Sequence, residues 1–442
     1  MDKRIFKTVE KSMDEYHERF ERFFPRSEPR EQSLKYMKGL IAAPDRRNGW
    51  ELAEMAGDRC PDRVQRLMYR NNWDLEGVLD EHIRFCNEHF GHYDGTFIVD
   101  ETGFLKSGKS SAGVNRQYTG TAGKITNCQV GVFLGYTSEH GNALLDRRLY
   151  MPDSWISDSK RCARAKVPDD LQFLTKPQLA LEMVRHAVFD LQCSGSWVVG
   201  DEVYGMDPCF REGLADLNLR FVLAVKRNMK VGKVSGCKVG RIPLSFWPEN
   251  TSMSLEKIAA GLPDSYWKSL ATRAGERGPI RYEWAGLRVI VPGEGERWLL
   301  IRRSLKHSDD LSFYFSNAYS DTPVMQLAEV ALRRFAIEQC FAEAKTEAGL
   351  DEYEVRLWHA WYRHITLSMM AHAFLSALKK TLEDRIKNVS ANGERHSQMV
   401  SNSKNGVVRR RVFHGMDQFQ APQKDSGNAR ALPRKILQAG SK

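Results

Sequence analysis

The chain has 442 residues, enough for two or three domains with sizeable cores, and its 42% hydrophobic and 28% charged content is ordinary for a water-soluble globular protein. Lys+Arg 66 against Asp+Glu 56 gives a net +10, which favours a polyanionic partner. Zinc-ribbon, disulfide-scaffold and membrane classes are excluded: the eight cysteines (60, 86, 128, 162, 193, 209, 237 and 340) form no CxxC pair, and the most apolar stretch, 365 to 378, is too short to span a bilayer. With no signal-like segment at the start, a reducing cytoplasm is expected.

Residues 1–93 read as short helices broken at Pro25, Pro29, Pro44 and Pro61. Arg46, Arg47, Arg59, Arg63, Arg66 and Arg70 cluster there, so an all-α DNA-binding domain of helix-turn-helix type is expected, against a helical cap with solvated arginines. His89 and His92 read as helix-surface residues rather than metal ligands.

From Thr96 the pattern changes to strands. TFIVDETGF places Asp100 directly after an apolar, β-branched run, and SWVVGDEVYG does the same for Asp201. Between them, GFLKSGKS (103 to 110) matches every position of the phosphate-loop pattern GxxxxGK[ST], which makes a P-loop ATPase a competing reading. A phosphate loop must open a helix, and the surroundings here hold Gly113, Gly120 and Gly123 with little helix propensity. Lys106, Lys109, Arg116 and Lys124 read instead as a mobile basic loop that touches DNA backbone. Around Asp201 a strand–helix–strand unit is expected, with helices near Pro177 and over PCFREGLADLNL and a strand RFVLAVKR. Glu202 and Asp207 read as supporting or surface acids.

Between Asp201 and Glu338 lie 136 residues, too many for one crossover. They open with a local +6 over 226–241, including Lys226, Arg227 and Lys230, and continue through short strands carrying Trp247, Trp267, Trp284 and Trp298. For each tryptophan a place in a sheet core is favoured over stacking on an unpaired base. One helix is expected over 322–350, ending near Gly349. Arg334, Glu338 and Lys345 share a face of it, since 3.6 residues per turn bring i, i+4 and i+11 nearly into line. A carboxylate flanked by two cations suits a site that holds a metal and grips phosphates. Glu343 and Glu347 are rivals, but only Glu338 has Arg four before and Lys seven after. Trp358 to Lys380 reads as a long core helix, with His359, His364 and His372 as satisfied core histidines. Residues 387–442, net +8, read as a basic flexible tail centred on Arg409 to Arg411.

These segments resemble those of insertion-sequence transposases of the DDE class, over about Thr96 to Leu378. In one branch the third motif reads Tyr, Arg, Glu, Lys; Arg334, Glu338 and Lys345 fit its last three positions, and Ala331 stands where the Tyr would be. The resemblance implies an α/β fold: a ribonuclease H-like mixed sheet flanked by helices, with an all-α N-terminal domain and a β-rich insertion. The domains would be 1–93 (DNA-binding), 94–226 and 319–386 (catalytic core), 227–318 (insertion, contacting the element's end) and 387–442 (tail). It also implies that Asp100, Asp201 and Glu338 hold two Mg²⁺ ions, with Mn²⁺ as substitute, for phosphodiester cleavage and strand transfer. Double-stranded DNA, meaning terminal inverted repeats and target, is the implied substrate, bound by a homodimer that synapses two ends, with excision through a hairpin. Arg334 and Lys345 would clamp phosphates, and nucleoid association would follow from DNA binding. A non-catalytic descendant would lack one of the three acids, and all three are present.

Overall fold

Apolar residues at helical spacing, punctuated by proline and glycine, fold the N-terminal part into α1 (Lys3–Glu18), α2 (Ser27–Ile41), α3 (Gly49–Met55), α4 (Asp62–Tyr69) and α5 (Leu75–Phe90) in the computed structural model. It describes residues 3–391 apart from 43–45, 235–237, 240–241, 244–245, 276–277 and 306–309; the basic tail from 392 onward, with Arg409 to Arg411, lies outside the described residues. Asn48 and Asp74 cap α3 and α5 by accepting first-turn N–H groups.

The strands follow as β1 (Thr96–Leu105), β2 (Asn115–Thr119), β3 (Lys124–Ser138) and β4 (Gly141–Leu149). Next come α6 (Asp153–Ile156), α7 (Ser159–Ala165), α8 (Lys176–Arg185), β5 (Trp197–Gly200), α9 (Glu202–Gly205), α10 (Pro208–Asp216) and β6 (Arg220–Val225). The strand–helix–strand unit is therefore present, and Asp207 proves to be the N-cap of α10. The core order is β4-β3-β1-β5-β6, antiparallel from β4 to β1 and parallel from β1 to β6. That is the mixed ribonuclease H-like sheet.

The remaining elements are β7 (Lys230–Lys233), β8 (Lys238–Val239), β9 (Ile242–Pro243), β10 (Ser252–Ser254), α11 (Leu255–Gly261), β11 (Lys268–Gly275), β12 (Gly278–Val291), β13 (Gly295–Ser304) and β14 (Leu311–Ser316), then α12 (Val324–Leu332), α13 (Phe335–Ala348) and α14 (Trp358–Ala391). The stretch expected as an insertion is β-rich, and it does not stand apart. β14 pairs with β6, and β13, β12, β7 and β10 follow, making one 12-stranded sheet. Without β14, β6 would leave a row of unpaired backbone groups at the sheet edge. Trp247, Trp267, Trp284 and Trp298 are all buried, as core residues of this half.

The N-terminal helices likewise share a core with the rest: α2, α4 and α5 pack against α14, and α5 also against β4. Tyr36 on α2 hydrogen-bonds His364 of α14 (2.7 Å), whose other ring nitrogen meets the Gly349 carbonyl (3.1 Å). No described helix is long and apolar enough to cross a membrane.

The single helix expected over 322–350 is broken. α12 ends at Leu332 and α13 starts at Phe335. α12 packs on β12, β11 and β6, whereas α13 packs on β3, β4 and α14, so the two parts serve different halves of a twisted sheet. Two consecutive arginines at the break reach different points along β1. Arg333 donates to the Asp94 carboxylate (2.6 Å) and to Thr96 Oγ1 (2.9 Å), while Arg334 reaches Asp100. Gly349 ends α13 with φ +62°, where a side chain would be strained, as its position led us to expect.

Candidate active site

Two parallel strands build the floor. β1 and β5 pair in a register that ends at Val99 opposite Gly200, so Asp100 and Asp201 come next, side by side. Neighbouring strands lie about 4.8 Å apart, close enough for two carboxylates to share one ion. Asp201 Oδ1 caps α9 through the Val203 N–H (2.8 Å). Asp100 Oδ1 accepts from the Glu101 N–H (2.8 Å), and its Oδ2 accepts from Arg334 Nη1 (3.0 Å).

Glu101 was not anticipated. Strand alternation turns it away from Asp100, toward Lys176 at the start of α8 (2.7 Å) and the buried Tyr204 hydroxyl (2.8 Å). Asp201, past the end of β5, is reached from both sides. Asp100, Glu101 and Asp201 each offer an oxygen within 4.8 Å of the others. Burial, with the charges of Asp201 and Glu101 adding to it against the opposing Arg334, pushes the Asp100 carboxyl up to about 7. Burial and Glu101 raise Asp201 as well. A pocket that buries several acids and leaves them self-repelling is short of positive charge, and hard oxygen donors so placed fit a divalent cation.

Glu338, in the first turn of α13, stands across from this cluster rather than within it. Its carboxylate accepts from Arg334 Nη2 (3.2 Å), so one guanidinium spans Asp100 and Glu338. Its rival Glu343 faces elsewhere, toward Gln339 (2.6 Å) and His372 of α14 (3.5 Å). Lys345 donates to Thr102 (2.9 Å), two residues past Asp100 on the same face of β1, and burial lowers its pKa. The face shared by Arg334, Glu338 and Lys345 is therefore real, although Arg334 holds it from the N-cap position rather than from within the helix.

Of the basic residues read as a mobile loop, Lys106 is not free. Its ammonium lies 3.5 Å from the Tyr353 ring centroid and donates to the Tyr353 carbonyl (3.1 Å), and burial brings its pKa down to about 8. The reason is that β1 runs on to Leu105, and the Lys106 N–H then bonds the Asn127 carbonyl (3.0 Å). Lys109 and Arg116 remain exposed. The phosphate-loop match fails for the same reason. Gly103 lies inside β1, where a Cβ would meet Thr119 Oγ1 at 1.8 Å, and the element that follows is β2, not a helix. The glycine serves strand packing.

Lys226, Arg227 and Lys230 are exposed beyond β6. Lys226 lines a cleft of about 550 Å³ beside Asp201, whose walls include Arg302, Ser312, Tyr314, Ala331, Arg334 and Phe335. In the N-terminal helices Arg47 is buried and holds the Leu40 and Thr346 carbonyls and the Glu352 carboxylate, so it makes no phosphate contact; Arg46, Arg59, Arg63, Arg66 and Arg70 are exposed.

Residues 19–278, more than half the chain, match the family model described as DDE superfamily endonuclease. A relative in Microchaete diplosiphon, a probable transposase for insertion sequence element IS701, is 23% identical over 359 residues, covering 79% of this chain and 82% of the relative. The matched family stretch contains both strand-end aspartates, while Glu338 comes after it. A mixed sheet that brings Asp100 beside Asp201, and a family model laid over both, lead to one conclusion: the chain belongs to the DDE superfamily endonucleases.

Proposed function

We propose that this endonuclease is a DNA transposase that cleaves the ends of an insertion element and joins them to target DNA. The observation that carries the reading is that β1 and β5 set Asp100 beside Asp201, with Arg334 linking Asp100 to Glu338 across from them. These three would hold two Mg²⁺ ions, with Mn²⁺ as substitute. Bound there, such ions lower the pKa of an attacking water or 3′-hydroxyl and stabilise the leaving oxygen. The side chains around them position the strand. Arg334 and Lys345 grip backbone phosphates near the scissile bond, and Thr102 holds Lys345 in place. Tyr204 and Lys176 hold the Glu101 carboxyl beside Asp201, where its oxygens favour cation binding. No covalent enzyme intermediate is required, so no Ser or Tyr nucleophile is assigned.

The name of the IS701 relative and the exposed cations Lys109, Arg116, Lys226, Arg227 and Lys230 support double-stranded DNA, both inverted repeats and target, as substrate. Two ends are brought together by a homodimer, and excision runs through a hairpin. The test incubates purified protein with a DNA fragment carrying its own element's ends and Mg²⁺ or Mn²⁺, then resolves the products on a denaturing gel. Nicks and hairpins at the end are expected with wild type and none with Asp201→Asn. Equal cleavage by the two would overturn the reading.

A further inference from the structure

The cleft beside Asp201 has a second wall that the mechanism above does not use. Ala331, Arg334 and Phe335 form one side, and β13 and β14 present Arg302, Ser312 and Tyr314 on the other. Arg302 pairs with Ser312 in the β13–β14 register. Continuing the β14–β6 register by one residue from Phe313 opposite Val225 sets Lys226 opposite Ser312. Residues directly opposite one another on paired strands share a face, so Arg302, Ser312 and Lys226 form a row across the sheet that leads to the acid cluster.

Arg302 differs from its neighbours in charge balance. Arg303 pairs with Glu283 (2.8 Å) and Asp264 (3.3 Å), Arg288 with Glu296 (2.7 Å), and Arg297 with Glu294 (3.8 Å). Among the described residues no carboxylate pairs with Arg302. Its Nη2 donates to Ser312 Oγ (2.8 Å) and its guanidinium lies 4.5 Å from the Tyr282 ring centroid. Those two contacts fix the orientation of the planar group, and an oriented guanidinium is the group best matched to the oxygens of a phosphate. Ala331, where the resembled motif has a Tyr, leaves the space in front of it open.

We propose that Arg302, with Ser312 and Lys226, forms a phosphate subsite that positions the DNA strand beside the scissile bond. Arg302 is a positioning residue supplied by the inserted half of the sheet. The proposal rests on the transposase reading, and its test is chosen to separate the two. Full-length wild type, Arg302→Gln and Arg302→Lys are bound, in EDTA, to a duplex carrying the element's end and to the same duplex with single phosphates replaced by neutral methylphosphonates.

Wild type is expected to lose about tenfold in affinity at one or two of the neutralised positions, the scale of one charge-assisted contact. Arg302→Gln binds the unmodified duplex about tenfold more weakly, with a salt slope shallower by about 1, and loses nothing further at those positions. Arg302→Lys keeps the charge and most of the packing, so it retains the wild-type salt slope with intermediate affinity. If both variants bind as wild type does and remain sensitive to the same methylphosphonates, the subsite is overturned. A wild type that binds DNA in this way but never cleaves it with Mg²⁺ or Mn²⁺ sinks the transposase reading and leaves the binding result standing.

Discussion

Two strands flank β6. On one side β5 runs parallel to it and ends just before Asp201; on the other β14 runs antiparallel and carries Ser312 and Tyr314 to the same cleft. The β5 side concentrates buried acids whose mutual repulsion is only partly offset by Arg334 and Lys176. On the β14 side Arg288, Arg297 and Arg303 have found carboxylates, and what this side turns toward the cleft is cationic or hydroxylic. One continuous sheet thus holds a region suited to divalent cations next to one suited to phosphates. A nuclease acting on a polyanion with metal ions needs both within one strand's reach.

The comparison breaks most visibly if the acids are neutralised. Asp201→Asn and Glu338→Gln are each expected to lower strand cleavage by about 10³-fold, on the scale of several kcal/mol of lost charge stabilisation. Duplex binding in EDTA should stay within roughly threefold, and Glu343→Gln should cleave normally. Full activity in Glu338→Gln with loss in Glu343→Gln would move the third acid to the face packed against α14.

A backbone lesion on the acid side comes next. A Cβ at Gly205 would sit 1.9 Å from the Ala224 carbonyl, so Gly205→Ala must push α9, and with it the cap at Asp201, away from β6. We expect stability to fall by about 1–3 kcal/mol for an overpacked contact, read as a lower denaturant midpoint, and cleavage to be reduced. An unchanged midpoint would show that α9 is not tied to β6.

The self-repulsion of the acids gives a further test. The Asp100 carboxyl titrates near 7 in the folded chain and near 3.9 when unfolded, so the folded state holds the proton longer. Stability then falls as pH rises from about 4 to about 7 and stays low above that. Metal-free Asp100→Asn should melt higher than wild type at pH 8 and equally at pH 4, and Mg²⁺ should raise the melting temperature of wild type alone. Equal melting at both pH values would mean the acids are already balanced. Smallest is Lys106→Met, which removes a buried cation–aromatic contact worth about 1 kcal/mol. Its DNA salt slope should match wild type; a shallower slope would return Lys106 to the phosphate contacts.

Some of this was legible in the chain. An apolar β-branched run ending in an acid is a local pattern, and it located Asp100 and Asp201. Helical spacing alone set Arg334, Glu338 and Lys345 on one face, and the left-handed turn at Gly349 is a property of one residue. Glycine-rich surroundings were enough to reject the phosphate-loop match, though not to show that Gly103 lies inside a strand against Thr119.

What depended on distant neighbours was not legible. Glu101 follows Asp100 in sequence but matters because Lys176 and Tyr204 reach it from elements about 75 and 103 residues away. Arg47 looked like any other arginine of its cluster until Glu352 and Thr346 claimed it. Short-range preferences decide which segments become strands or helices and where they stop. Which open strand edge a later strand covers, where a helix must break to follow two halves of a sheet, and which arginine is left without a carboxylate are settled only when distant parts of the chain compete for the same backbone groups and charges.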